Sequence, residues 1–147
     1  MTKYIITGGA GFIGSHLVEK LVGKKKKIVV LDNLSTGRIE NINNFKNKIK
    51  FIRCDISKKG DWIKEIKGDC FIFHLAALAD IVPSIQNPTK YFNSNVTGTL
   101  NLLEASRNAN IKKFIYSASS SCYGVPKKYP TTEKEINNPI YPYAMTK

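Results

Sequence analysis

The run "TGGAGFIG" (7–14) joins an unbroken apolar stretch, "KYIIT" (3–7), to "FIGSHLVEKLVG" (12–23), whose apolar residues recur at helical spacing. No other feature restricts the fold as strongly. Gly8, Gly11 and Gly14, spaced GxxGxxG, let the chain turn sharply from strand to helix and let its backbone approach a ligand. The helix start presents free N–H groups and partial positive charge, and a pyrophosphate matches both. A glycine triplet alone is a weak signal. A strand before it and a helix after it supply the context that gives it meaning.

The rest of the chain repeats that alternation. Buried strands are expected at "KKIVVLD" (26–32), "IKFIRCD" (49–55), "DCFIFHLA" (69–76) and "KKFIYSAS" (112–119), with a helical turn near "IENI" and a brief helix at "DWIKEIKG" (61–68). Asn87 and Pro88 form an N-cap and a first helical position. Phe92, Val96, Leu100 and Leu103 then mark the buried face of a long helix to about Asn108. A loop containing Pro126, Pro130, Pro139 and Pro142 leads to a terminal helix. Continuous apolar strands separated by helices indicate a parallel sheet covered on both faces. With right-handed crossovers this is an α/β, doubly wound Rossmann-type sheet, and residues 1–147 read as one dinucleotide-binding domain.

Composition removes several alternatives. The 147 residues are 42% hydrophobic and 23% charged, the profile of an ordinary globular protein. No apolar run approaches the ~20 residues that span a bilayer, so no membrane partner is expected and the cytoplasm is the default location. Cys54, Cys70 and Cys122 form no CxxC pair, and with only His16 and His74 present a zinc site or a histidine triad is disfavoured. The net charge of +12 is mostly lysine, and "KKKK" (24–27) falls at a solvated corner between helix and strand. No stacking platform or recognition helix accompanies it, so nucleic acid is not expected as a partner.

Asp32 ends the second strand, eighteen positions beyond Gly14. A carboxylate there accepts both ribose hydroxyls of NAD and repels the 2′-phosphate of NADP, although Arg38 stands nearby. Asp55 and Ile56 end the third strand. The aspartate either reaches an adenine amino group, with Ile56 packed on the ring, or caps the helix at "DWIKEIKG". "HLAA" (74–77) closes the fourth strand with small residues that let backbone lie along a cofactor. His74 itself reads as a hydrogen-bonded strand-end residue, not as a catalyst.

"SASSSCYG" (117–124) puts hydroxyls at the carboxyl end of the fifth strand, the edge where open α/β sheets do their chemistry. "YPYAMTK" (141–147) places Tyr143 and Lys147 one helical turn apart, on a common face. An ammonium and an oxidised nicotinamide would both favour the tyrosine's phenolate, which could then take a proton from a substrate hydroxyl that a serine orients. YxxxK is common by itself. Beside a serine-rich strand end and a dinucleotide turn it becomes specific.

With these segments in this order, the sequence resembles the extended short-chain dehydrogenase/reductase family, in particular its nucleotide-sugar epimerases and dehydratases. The resemblance runs from Lys3 to Lys147 through "TGGAGFIG", "LDNLSTG", "CDI", "HLAA", "NVTGT", "SASSSCYG" and "YPYAMTK". It implies that Phe12 and Ile13 line the pyrophosphate, and that Asp32, Asn33, Leu34, Ser35, Thr36 and Gly37 surround the adenosine ribose. It further implies Asp55 and Ile56 at adenine, Leu75, Ala76 and Ala77 along the cofactor, and Asn95 as a structural and cofactor-shell residue. The catalytic hydroxyl then falls on Ser119, with Tyr143 as base and Lys147 on the nicotinamide ribose.

Departures from the family pattern narrow the reaction. Sugar 4,6-dehydratases carry Asp-Glu after the catalytic hydroxyl residue, and here those positions are Ser120 and Ser121. Galactose-type 4-epimerases often carry lysine shortly after "HLAA", where this chain has Ala79. The blocks "SASSSCYG" and "VPSIQNP" look most like UDP-N-acetylhexosamine 4-epimerases, with Ser84 and Ser121 as further substrate contacts. The implied reaction is transient oxidation at sugar C4 by NAD, followed by hydride return to the opposite face. Family members are about twice as long and commonly dimerise through the long and catalytic helices. The resemblance therefore implies an N-terminal portion, without the lobe that holds the substrate's nucleotide, and a homodimer at full length.

Overall fold

In a computed structural model, which describes residues 2–107 and 109–147, five strands make one parallel sheet. They are β1 (Lys3–Thr7), β2 (Lys27–Asp32), β3 (Lys50–Arg53), β4 (Cys70–His74) and β5 (Lys113–Tyr116). The spatial order is β3-β2-β1-β4-β5, so the direction of winding reverses beside β1. The expected Rossmann-type sheet is therefore present. β3 and β5 are shorter than their apolar runs, because Cys54–Asp55 and Ser117–Ser119 leave the ladder at its carboxyl edge. Cys54 N–H still bonds the Asp32 carbonyl at 3.0 Å and Ser117 N–H the His74 carbonyl at 3.2 Å, so the departing chains stay anchored.

Alternation along the strands builds a core on each face. Ile6, Ile28 and Val30 meet Val18 and Leu21 of α1 (Phe12–Gly23) and Ile42 of α2 (Glu40–Asn43). On the opposite face, Ile5, Val29, Leu31 and Ile72 meet Trp62, Ile66 and Leu102. Trp62 lies in a 3₁₀ turn (Asp61–Glu65), shorter than the helix expected at 61–68. A helix that the sequence pattern did not suggest, α3 (Ile81–Gln86), follows β4.

The long helix begins as expected. Asn87 Oδ1 accepts the Lys90 N–H at 3.2 Å and Pro88 occupies the first turn of α4 (Pro88–Tyr91). A π-helical segment (Phe92–Thr97) then leads into α5 (Gly98–Arg107). The expected end near Asn108 lies outside the described residues. The buried face was misjudged. Phe92, Leu100 and Leu103 are 54%, 56% and 45% exposed and Val96 is only partly buried, whereas Tyr91, Asn95, Gly98, Leu102 and Ser106 are buried. Small residues explain the reversal. Gly98 brings the helix so close that a Cβ there would lie 3.1 Å from Ile56 Cγ1, and Ser106 satisfies its hydroxyl on the Leu102 carbonyl.

His74 ties this helix to the sheet through a directional chain of bonds. Thr99 Oγ1 donates to the Asn95 carbonyl, so it must accept from His74 Nε2–H at 2.8 Å. Nδ1 is then bare and accepts from the Thr7 hydroxyl at 2.6 Å, whose oxygen takes the Ala76 N–H at 3.2 Å. The ring is neutral. Burial above all, and the nearby Lys147 ammonium, push its pKa down to about 4 from 6.5.

Two outcomes follow for stability. Leu102→Ala should cost about 3 kcal/mol in chemical denaturation, and Leu103→Ala less than about 1, which checks the orientation of the helix. Below pH 6.5 the unfolded chain protonates His74 and the folded chain does not, so stability contributed by the neutral ring is complete above that pH. It should fall by about 3 kcal/mol as pH drops through 4. Melting curves of His74→Gln should show a flatter dependence across that window.

Candidate functional site

A cleft of about 310 Å³ opens at the carboxyl edge of the sheet, where β1 separates β2 from β4. Gly8, Gly11, Phe12, Ile13 and Gly14 form one wall, Asp32, Asn33, Ser35, Thr36 and Gly37 the second, and Asp55, Ile56, Leu75, Ala76 and Ala77 line the rest. Its floor depends on two glycines. Gly8 has φ +69°, and a Cβ there would lie 2.7 Å from Ala76 N. A Cβ on Gly14 would run into the Gly8 carbonyl oxygen. α1 starts at Gly11 without a side-chain cap and carries no acidic residue in its first turn, so its first N–H groups and dipole are directed to a ligand's negative charge.

Asp32 is 7% exposed and lines this cleft. Oδ2 accepts the Ala10 N–H at 2.9 Å and Oδ1 the Leu34 N–H at 2.8 Å. The carboxylate thereby joins the glycine turn to the loop after β2, and each oxygen retains a lone pair for a hydroxyl donor. Leu34, expected at the ribose, instead takes φ +61° and packs into the core beside α1. Asp55 has the capping role. Oδ1 caps the following turn through Ser57 N–H at 3.0 Å and Ser57 Oγ at 2.7 Å, while the residue still lines the cleft.

Four lining residues were not anticipated: Leu31, Cys54, Ser94 and Ser117. Cys54 and Ser117 are the first residues past β3 and β5, a position that strand ends alone would have indicated. Ser94 was hidden by the misjudged helix face. Burial, then Asp32 and Asp55, push the Cys54 thiol up to about 11, so it enters the cleft protonated and unreactive.

Asn95 is buried and does not line the cleft. Its amide exchanges two bonds with Leu78, N–H to Oδ1 at 2.8 Å and Nδ2 to the carbonyl at 3.0 Å, and donates a third to Thr146 Oγ1 at 3.0 Å. One side chain therefore pins the loop after β4 to α6 (Pro142–Met145). Ser84 does related work in place of the substrate contact expected of it. It is fully buried, its hydroxyl donating to the Ile81 carbonyl at 2.6 Å and accepting the Tyr143 N–H at 3.1 Å.

At the end of α6 the Thr146 N–H is divided between the Pro142 and Tyr143 carbonyls, and the Thr146 hydroxyl donates to the Tyr143 carbonyl at 2.9 Å. Lys147 leaves that turn toward β5. Its Nζ donates to the Ser117 carbonyl and lies 4.6 Å above the Tyr116 ring. Burial lowers its pKa, opposed in part by Cys122. Ser119 begins the 3₁₀ turn Ser120–Tyr123 and accepts the Ser121 N–H at 3.2 Å; that turn packs on α6, with Cys122 Sγ 3.7 Å from the Ala144 carbonyl. Ser119, Ser121, Tyr143 and Lys147 are all partly exposed at this end of the edge. None of them lines the 310 Å³ cleft; Lys147 reaches it only through Ser117.

Comparison with known proteins gives this geometry a family. The sequence profile of the family described as GDP-mannose 4,6 dehydratase matches residues 5–147. A UDP-glucose 4-epimerase from Lactobacillus helveticus is 40% identical across 99% of this chain and 44% of its own length. A UDP-N-acetylglucosamine 4-epimerase from Methanobrevibacter ruminantium M1, solved with UDP-N-acetylmuramic acid, superposes with a TM-score of 0.92 at 40% identity, covering 98% of this chain and 46% of that one. The UDP-glucose 4-epimerase of Brucella ovis, solved with NAD, superposes at 0.87 with 36% identity, over 99% and 44%. The chain spans about half the length of the curated relatives it matches. With a glycine turn at the sheet's switch point, an aspartate ending β2 and a tyrosine–lysine turn against β5, it belongs to the nucleotide-sugar epimerase and dehydratase branch of the extended short-chain dehydrogenase/reductase family.

Proposed function

We propose that residues 1–147 are the cofactor-binding domain of an NAD-dependent nucleotide-sugar 4-epimerase acting on a UDP-sugar of the N-acetylglucosamine or glucose type. The observation that carries this reading is the order of groups along one sheet edge. The Asp32 carboxylate at the end of β2, the bare N-terminus of α1 after β1 and the Lys147 ammonium at β5 follow one another along the edge. That sequence suits, in turn, a ribose diol, the diphosphate and the second ribose of a dinucleotide. A 2′-phosphate would meet Asp32, which favours NAD over NADP.

NAD, when bound, supplies a reversible hydride acceptor for the sugar's C4. The chain's own part is to hold and move a proton. Tyr143, with Lys147 beside it, takes the proton of the C4 hydroxyl as its base, and Ser119 orients that hydroxyl by a hydrogen bond. After the 4-keto sugar turns over in the site, Tyr143 returns the proton and the configuration at C4 is inverted. Ser121 serves as a further substrate contact. Ser120 and Ser121, standing where dehydratases carry Asp-Glu, support epimerisation over dehydration within the family.

The lobe that holds the substrate's nucleotide would lie in the part of the relatives that this chain does not span. A homodimer at full length is supported by Phe92, Leu100 and Leu103, an exposed apolar stripe on the long helix.

Fluorescence titration should show NAD binding at least about tenfold tighter than NADP binding. On the intact gene product, Tyr143→Phe should lower UDP-sugar epimerisation by about a thousandfold while leaving the NAD Kd within about threefold. Epimerisation that survives this change, followed by NMR of the product sugar, would remove Tyr143 from its role.

A further inference from the structure

Lys147 is held at both ends by the residue that closes β5. Its ammonium lies 4.6 Å above the centroid of the Tyr116 ring and donates to the Ser117 carbonyl. At the other end, the Tyr116 hydroxyl donates to the Lys147 carbonyl oxygen at 3.2 Å. The ring is in turn supported by His74, whose imidazole stands 5.6 Å away at 42°. Because the His74 ring is neutral, it brings no second positive charge to the seat. Cys122 from the 3₁₀ turn also faces the ammonium, and Cys122 and Tyr143 both lie near the Tyr116 phenol, whose pKa burial raises.

We propose that Tyr116 is a positioning residue for Lys147: its ring face seats the half-buried ammonium at the Ser117 carbonyl. The inference rests on the role proposed for Lys147 and adds to it a residue outside the Ser119, Tyr143 and Lys147 set. Desolvation disfavours the charged amine, and an aromatic face within ~6 Å is a compensating partner that costs no second charge. Removing the ring while keeping the volume should therefore make Lys147 more acidic. Removing only the hydroxyl should not.

The test is a pH titration of ¹³Cε-lysine resonances in the cofactor-free protein, with the Lys147 signal assigned by its loss in K147Q. Y116L, and Y116M as a second variant of unbranched apolar shape, should each lower the Lys147 midpoint by about one pH unit, a tenfold rise in acidity. Y116F should keep it within about 0.3 unit. Circular dichroism selects whichever of the two ring-removing variants is folded. An unchanged midpoint in the folded variant, or a Y116F shift as large, overturns the proposal. NAD titration of the same samples reports separately: wild-type protein that fails to bind NAD yet shows the Tyr116-dependent midpoint would remove the cofactor reading and leave the lysine seat standing.

Discussion

The backbone of Gly8 pressed against that of Ala76 is the contact on which the rest of this structure depends. β1 and β4 must be adjacent, and parallel, for the turn after one to touch the exit of the other. Only then does α1 point its N-terminus across the carboxyl edge. Any side chain at Gly8 would have to displace the main chain just past β4, because the atoms that it would meet are backbone atoms of Leu75 and Ala76. Asp32 secures the same turn from the β2 side through Ala10. The cleft is thus made of main chain held from two directions, and the residues with ligand chemistry are few.

The proposed chemical end of the site is built differently, from short polar bridges between elements distant in sequence. Asn95 links the long helix to Leu78 and Thr146, and Ser84 links α3 to the Tyr143 N–H. The directional chain from Ala76 through Thr7, His74 and Thr99 to Asn95 joins these bridges to the sheet. Among the described residues each buried side-chain polar atom has a partner, so the network can orient α6 against the sheet.

The long helix illustrates how a periodic pattern misleads. Its apolar stripe at 92, 96, 100 and 103 has the spacing of a core face, yet much of it is exposed, and the buried face carries Gly98, Asn95 and Ser106. Close packing against Ile56 rewards small side chains over large ones at that spot. Periodicity reports that a helix has an apolar face and says nothing of which surface will cover it. Ser94 enters the cleft from a face that the apolar stripe does not mark, and nothing in the stretch around Ser84 signals that its hydroxyl is sealed.

What could be read directly from the chain were the properties that neighbours in sequence settle among themselves. The five strands and their parallel sense, the glycine turn between β1 and α1, the Asn87–Pro88 helix start and Asp32 at a strand end all depend on local sterics, capping and apolar period. Which serine meets solvent and which is sealed, which face of the long helix packs, and that the Lys147 ammonium reaches Tyr116 and Ser117 depend on groups 25 to 60 residues apart. Those distances are closed only when the sheet forms. No local pattern encodes them, because the free energy that decides each one is paid by a partner that the segment has not yet met.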